Sequence, residues 1–257
     1  MTYVLRTFDL CKQYKQTLAL DNVNMTIKKG DIYGFVGENG AGKSTVIRLI
    51  TSLGNPTNGS FELFSGQPAE RLGKVAAVVE TPALHLGLSA VKNLEYQCDL
   101  LGIEEKAAIV EKTLSVVGLD YLLTVKKAAK SFSLGMKQRL GIAMALIGDP
   151  EFLILDEPMN GLDPVGIIQM RELILKLSHI LSELDKVATT YGFISHGRLL
   201  KEISTQELHQ SLTSYTKLVV STLDDKIFSQ ILSSYRYEVE APNILKIYDI
   251  KDASSQI

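Results

Sequence analysis

Cysteine is scarce in this chain. Only Cys11 and Cys98 occur in 257 residues, at no metal-ligand spacing and not as a redox pair. That excludes a disulfide framework and leaves two free thiols, as in a reducing cytosol. Net charge is small as well. A formal charge of −2 leaves no basic excess to neutralise phosphates, which argues against nucleic acid as the main partner. No uninterrupted apolar run approaches the ~18 residues that a membrane-spanning helix needs. The start, Met-Thr-Tyr-Val-Leu-Arg-Thr-Phe, has no basic segment followed by an apolar one, so no signal peptide is expected. A role in a membrane process would therefore be played from the cytoplasmic face, through a partner. Internal repeats and low-complexity tracts are missing too. What remains is ordinary globular composition, 46% hydrophobic and 22% charged, long enough for one large domain or a domain with an appendage.

Against that plain background one stretch stands out. Gly37, Glu38, Asn39, Gly40, Ala41, Gly42, Lys43, Ser44 and Thr45 match the phosphate-loop pattern G-x-x-x-x-G-K-[ST]. Glycines let the loop turn several backbone N–H groups inward as an anion-binding concavity. The helix expected from Ser44 adds the positive end of its dipole. Lys43 offers a point charge for the outer phosphates and Ser44 a hydroxyl for Mg²⁺. A chance glycine-rich turn is the competing reading. The short apolar run at 31–36, read as a buried strand, and the helix pattern after the loop weigh against it.

The surrounding pattern is α/β. Strands are expected at 3–10, 18–28, 58–64 and 75–79. Residues 88–130 carry helical periodicity, with Gly118 closing one helix, and read as a helical subdomain inserted into the core. A further helix is expected at 136–148, then a buried strand at 152–155, a helix over 165–187 and a hairpin turning at His196-Gly197. After about 213 a separate segment follows, with strand 216–221, helix 225–234 and strands 236–240 and 244–249.

Two more elements carry chemistry. The run Phe152-Leu-Ile-Leu155 ends in Asp156-Glu157, which puts a carboxylate at the tip of a central strand, where nucleotide sites in such sheets lie. Asp156 can hold Mg²⁺ or its water, and Glu157 can polarise an attacking water as a general base. The bland reading is a surface acidic pair capping a strand. Upstream, Ser131-Phe-Ser-Leu-Gly-Met-Lys-Gln-Arg-Leu140 resembles the signature motif of ATP-binding cassette (ABC) ATPases, of consensus Leu-Ser-Gly-Gly-Gln, with Ser133 and Gly135 conforming. A plain N-cap by Ser133 is the alternative. The ordered set of loop, signature, Asp156-Glu157 and Asn160-Gly-Leu-Asp163, which looks like the D-loop, resembles an ABC transporter ATPase over roughly residues 1–210.

That resemblance carries expectations. The fold class is α/β: a P-loop NTPase core, a mixed β-sheet flanked by helices, with an inserted helical subdomain (about 83–135) and a small C-terminal α+β appendage. The ATPase domain would span 1–212 and the accessory domain 213–257, cut short of a full split ferredoxin-like unit. Cofactors would be ATP and Mg²⁺. Tyr14 would stack on adenine; Ser133 and Gly135 would complete the site of a second copy in a head-to-tail dimer; Asp163 would couple the two copies. Ser44, Asp156 and Glu80 would serve the metal, and His179 would be the switch histidine beside the catalytic Glu157, with His196 structural. Glu80 stands where most members carry glutamine, and with the variant signature it resembles the bacitracin and lantibiotic export branch. The protein would then sit at the inner face of the cell membrane on a separately encoded permease, and export an antimicrobial peptide or drug.

One departure opens an alternative. Arg171-Glu-Leu-Ile-Leu-Lys-Leu177 runs directly into Ser178-His179, where family members place a loop and a full apolar strand; about ten residues are missing by typical lengths. An omitted segment, a real deletion and a local replacement all fit. The spacing of Leu173, Leu177, Ile180, Leu181 and Leu184 fits one continuous helix if the deletion is real. A nucleotide-binding regulatory subunit with impaired hydrolysis is the corresponding second reading.

Overall fold

The computed structural model describes residues 2–66, 73–181, 188–211, 215–219, 236–241 and 244–248, with backbone alone for 178–181 and for those beyond 208. The chain divides into two compact units, Met1–Glu202 and Ile203–Ile257.

The first unit begins with strand β1 (Tyr3–Tyr14), flanked by β2 (Thr17–Val23) and β3 (Thr26–Lys28), both antiparallel to it. The single strand expected at 18–28 is thus two. Thr7 of β1 explains the break: its buried hydroxyl donates to Val23 O (2.8 Å) and accepts from Met25 N (2.9 Å), so the chain turns around it. Strand β4 (Tyr33–Val36) leads through the loop 37–42 into helix α1 (Lys43–Ile50). Strand β5 (Asn58–Leu63) then returns to the other side of β1. At Gly59 a Cβ would lie 2.1 Å from Asp9 O, so this close approach needs glycine. The apolar face of this antiparallel sheet (Leu5, Leu10, Leu20, Val23, Ile27) packs with Val46, Leu49 and Ile50 of α1 in one core.

Strand β6 (Val75–Val78) precedes helices α2 (Ala90–Leu100), α3 (Lys106–Val116) and α4 (Leu134–Leu146). These form the expected helical region around a second core that includes Leu94, Leu114, Leu119, Leu140 and Ile142. Gly118, at φ 66, follows α3 as a left-handed terminator. Buried Asn93 ties α2 to the preceding segment: its Oδ1 accepts from His85 N (2.8 Å), and its Nδ2 donates to Ser89 O (2.9 Å). Strand β7 (Phe152–Leu155) pairs in parallel with β6, from Val75↔Phe152 to Val78↔Leu155.

Helix α5 (Pro164–Leu181) runs unbroken through Leu177 and Ser178; the rest of the helix expected to 187 lies outside the described residues. Strand β8 (Thr190–Ser195) pairs in parallel with β4, and β9 (Arg198–Ser204) extends that sheet after the His196-Gly197 turn. The parallel pairs therefore form two separate ladders, β4-β8, to which β9 adds, and β6-β7. The strands expected to be buried at 31–36 and 152–155 are mostly half-buried, and Val36 is 42% exposed. Each is paired along one edge only among the described residues, which leaves its other side accessible.

In the second unit, α6 (Thr205–Ser211) is followed by an antiparallel sheet of β10 (Tyr215–Val219), β11 (Arg236–Ala241) and β12 (Ile244–Tyr248), with β12 in the middle. The helix expected at 225–234 lies outside the described residues. No helix among the described residues is long and apolar enough to cross a membrane.

Candidate functional site

The carboxyl ends of β4, β6 and β7 point to one place, the position where open α/β sheets bind ligands. A cleft of about 360 Å³ lies there, lined by Ala19, Asn39, Gly40, Gly42, Lys43, Ser44, Thr45, Glu80, Asp156 and Glu157.

The loop gets its shape from two contacts with distant chain. Gly42 is left-handed, at φ 111, and a Cβ there would lie 2.9 Å from Ala19 O and 2.8 Å from a Leu20 methyl. Ala41 O accepts from Gly197 N at 2.9 Å, so the His196 turn braces the loop from behind. Lys43 Nζ donates to the carbonyls of Gly37 (2.7 Å) and Glu38 (3.1 Å), which holds the ammonium over the loop. The first N–H groups of α1 have no partner within the helix, so they can donate to an anion.

Ser44 Oγ donates to Asp156 Oδ2 at 3.3 Å and joins the loop to the tip of β7. Asp156 is buried, and its N–H is held by Val78 O at 2.9 Å. Burial pushes its carboxyl above the ordinary range. The Ser44 hydrogen bond opposes the rise, the Glu157 and Glu80 carboxylates add to it, and Lys43 lowers it. A hydroxyl and a carboxylate this close suit a hard divalent cation, which takes oxygen ligands. Among the described residues no cluster of three or more His, Cys, Asp or Glu could hold a metal alone. The donor set fits a metal carried in with a polyphosphate.

Glu157 follows at φ 45, a left-handed conformation that turns its side chain to the cleft. Asn160 Nδ2 donates to Glu157 Oε2 at 3.2 Å and orients the carboxylate. Glu80 also sits at positive φ (55) and faces Arg48 of α1 across 3.6 Å.

Other expected residues lie elsewhere. Ser133 caps α4, its Oγ accepting from Met136 N at 3.3 Å, and with Gly135 it stands outside this cleft. Asp163 caps α5 through Gly166 N (2.7 Å). Tyr14 is 46% exposed at the β1–β2 turn, with the Lys12 ammonium 5.1 Å from its ring centre; it does not line the cleft. His179 lies within the helical run of α5 rather than after a strand, and its side chain lies outside the described residues.

Sequence reasoning missed Ala19, Arg48 and the Asn160–Glu157 bond. Arg48 had a signal, since it lies four residues after Ser44 on the same helix face. Ala19 had none, because only the tertiary fold brings β2 to the loop.

The family model described as ABC transporter matches residues 20–160. The chain is 38% identical to the bacitracin transport ATP-binding protein BcrA of Enterococcus faecalis, across 100% of this chain and 88% of that protein. It is 43% identical to the lantibiotic transport ATP-binding protein SrtF of Streptococcus pyogenes, across 77% of this chain and 90% of that one. Among solved structures it is similar to cbiO1 from Clostridium perfringens, described as part of the ABC transporter complex cbiONQ, with a TM-score of 0.72 and 25% identity over 82% of this chain and 92% of that one. The comparison with BcrA runs over 275 positions against 257 residues here, so that protein carries residues with no counterpart in this chain.

Proposed function

The chain belongs to the ABC transporter family as an ATP-binding, ATP-hydrolysing subunit, and from that premise we propose that it powers a separately encoded membrane permease that exports an antimicrobial peptide or drug. The observation that carries the reading is the convergence of Lys43, Ser44, Glu80, Asp156 and Glu157 on one cleft. The impaired regulatory subunit is the less favoured reading, since the curated relatives are transport ATP-binding proteins.

In this reading Lys43 and the N–H groups of the loop, from Gly37 through Thr45, take the phosphates of ATP. Ser44, Asp156 and Glu80 would hold Mg²⁺, which when bound would supply positive charge against the outer phosphates. Glu157, oriented by Asn160, accepts a proton from the attacking water. Tyr14 stacks on adenine, and Ser133, Gly135 and Asp163 act across the boundary with a second, head-to-tail copy. His179 lies within the helical run of α5 and is left without the role of switch residue. The cassette spans 1–212, with 213–257 as an accessory domain, and the permease holds the protein at the inner face of the membrane.

The test is ATP-driven dimerisation of Glu157→Gln, followed by light scattering. ATP should double the mass, and Ser133→Arg should prevent it. A Glu157→Gln protein that stays monomeric at saturating ATP would contradict the shared site. For cargo, co-expression with the permease should raise resistance to bacitracin or a lantibiotic; unchanged resistance to both would contradict the export reading.

A further inference from the structure

Three distant pieces of chain meet behind the phosphate loop: the loop itself, strand β2 and the turn between β8 and β9. Their point of contact is Ala19 O. A Cβ at Gly42 would lie 2.9 Å from that oxygen and one at Gly197 2.7 Å, which leaves no room for a side chain at either. Both glycines hold a left-handed backbone, at φ 111 and 77. The hydrogen bonds here run in series. Asp21 N donates to Gly197 O at 2.9 Å, and Gly197 N donates to Ala41 O at 2.9 Å. The turn is thus held by β2 on one side and holds the loop on the other.

A side-chain pair closes this arrangement. Arg198, the first residue of β9, donates from Nε to Asp21 Oδ2 at 2.6 Å, and its Nη2 lies 2.5 Å from the same oxygen. The other carboxylate oxygen, Asp21 Oδ1, accepts from Asn22 Nδ2 at 2.8 Å. Asp21 therefore grips the turn twice, by its N–H at residue 197 and by its carboxylate at residue 198. Its side chain is only 16% exposed, against 70% for Arg198. Neither residue lines the nucleotide cleft. We propose that Arg198 is a positioning residue for phosphate binding: paired with Asp21, it seats the Gly197 turn against Ala41 and so fixes the loop. The inference rests on the ATP-binding reading and adds to it a residue that acts only through Asp21, Gly197 and Ala41. A phosphate loop binds by aiming several N–H groups at one point, and affinity falls when those directions are not set beforehand.

The test compares Arg198→Ala, Arg198→Lys, Asp21→Asn and the double variant Arg198→Ala/Asp21→Asn in the full chain. By calorimetry, Arg198→Ala should bind ATP about fivefold more weakly, the upper range for an exposed charged pair. Its KM for ATP should rise with kcat unchanged, because Glu157 is untouched. Arg198→Lys, which keeps the charge, should recover part of the affinity. The double variant should bind no more weakly than Arg198→Ala, since the two residues act as one pair. Without nucleotide, amide exchange in Arg198→Ala should quicken at Asp21, Ala41 and Gly197 and stay unchanged in α2 and α3. Unchanged ATP affinity in Arg198→Ala overturns the proposal and leaves the ATP-binding reading intact. So does exchange that quickens evenly across the first unit, which marks a merely structural bond. A wild-type chain that binds no ATP overturns both.

Discussion

Two clefts, the nucleotide cleft above and a trough of about 800 Å³ below it, meet at Lys43, Asp156 and Glu157 and differ in almost everything else. The upper one is small, polar and held by short-range devices: left-handed turns at Gly42, Glu80 and Glu157, and hydrogen bonds such as Ser44–Asp156 and Asn160–Glu157. The lower one is larger and apolar, and is bordered by strand edges without a partner among the described residues. A phosphate site can thus be assembled from loop ends while the sheet beneath it stays divided.

Breaking the upper cleft alone should have the largest effect. Lys43→Ala removes the ammonium and should weaken ATP binding by about 100-fold, the value of a lost charged hydrogen bond, with Tm of the ligand-free protein nearly unchanged. Isothermal calorimetry and a thermal scan read both.

Asp156 borders both clefts and sharpens the comparison. Asp156→Asn should cost about tenfold or more in affinity for Mg–ATP while stabilising the free protein. The sign follows from burial. A carboxyl whose folded pKa is raised binds its proton more tightly when folded, so its ionisation weakens the fold as pH rises from the ordinary 3.8 through the raised value. The gain from asparagine should vanish in acid, below 3.8, and be complete at neutral pH. Denaturation midpoints across pH check it.

The smallest effect should come from the lower cleft. Ile174→Phe adds apolar surface to the trough and should stabilise by up to about 1 kcal/mol, with ATP affinity the same within error. A large change in affinity would show that the clefts are coupled.

How much of this was legible beforehand depends on how local each signal is. The phosphate loop, Asp156-Glu157 and the capping role of Ser133 are written in contiguous residues, and the helical region shows in its periodicity. The division of 18–28 into two strands was not legible, because a buried Thr7 from another strand causes it. Neither was Ala19 at the loop, a contact made only by the fold. The shortened run before Ser178 was legible as a missing strand. The spacing of Leu173, Leu177, Ile180 and Leu181 also showed one continuous helix there; what the sequence could not show was the trough beside it, bordered by two strand edges unpaired among the described residues.

The most direct test of the central claim, that the upper cleft is a working ATPase site in a divided sheet, is steady-state ATP turnover by the chain and by Glu157→Gln, with Kd for Mg–ATP measured alongside. The account predicts turnover at least about 100-fold lower in the variant, the scale of a lost general base, with Kd equal within about threefold. Wild-type turnover no higher than that of Glu157→Gln would contradict it.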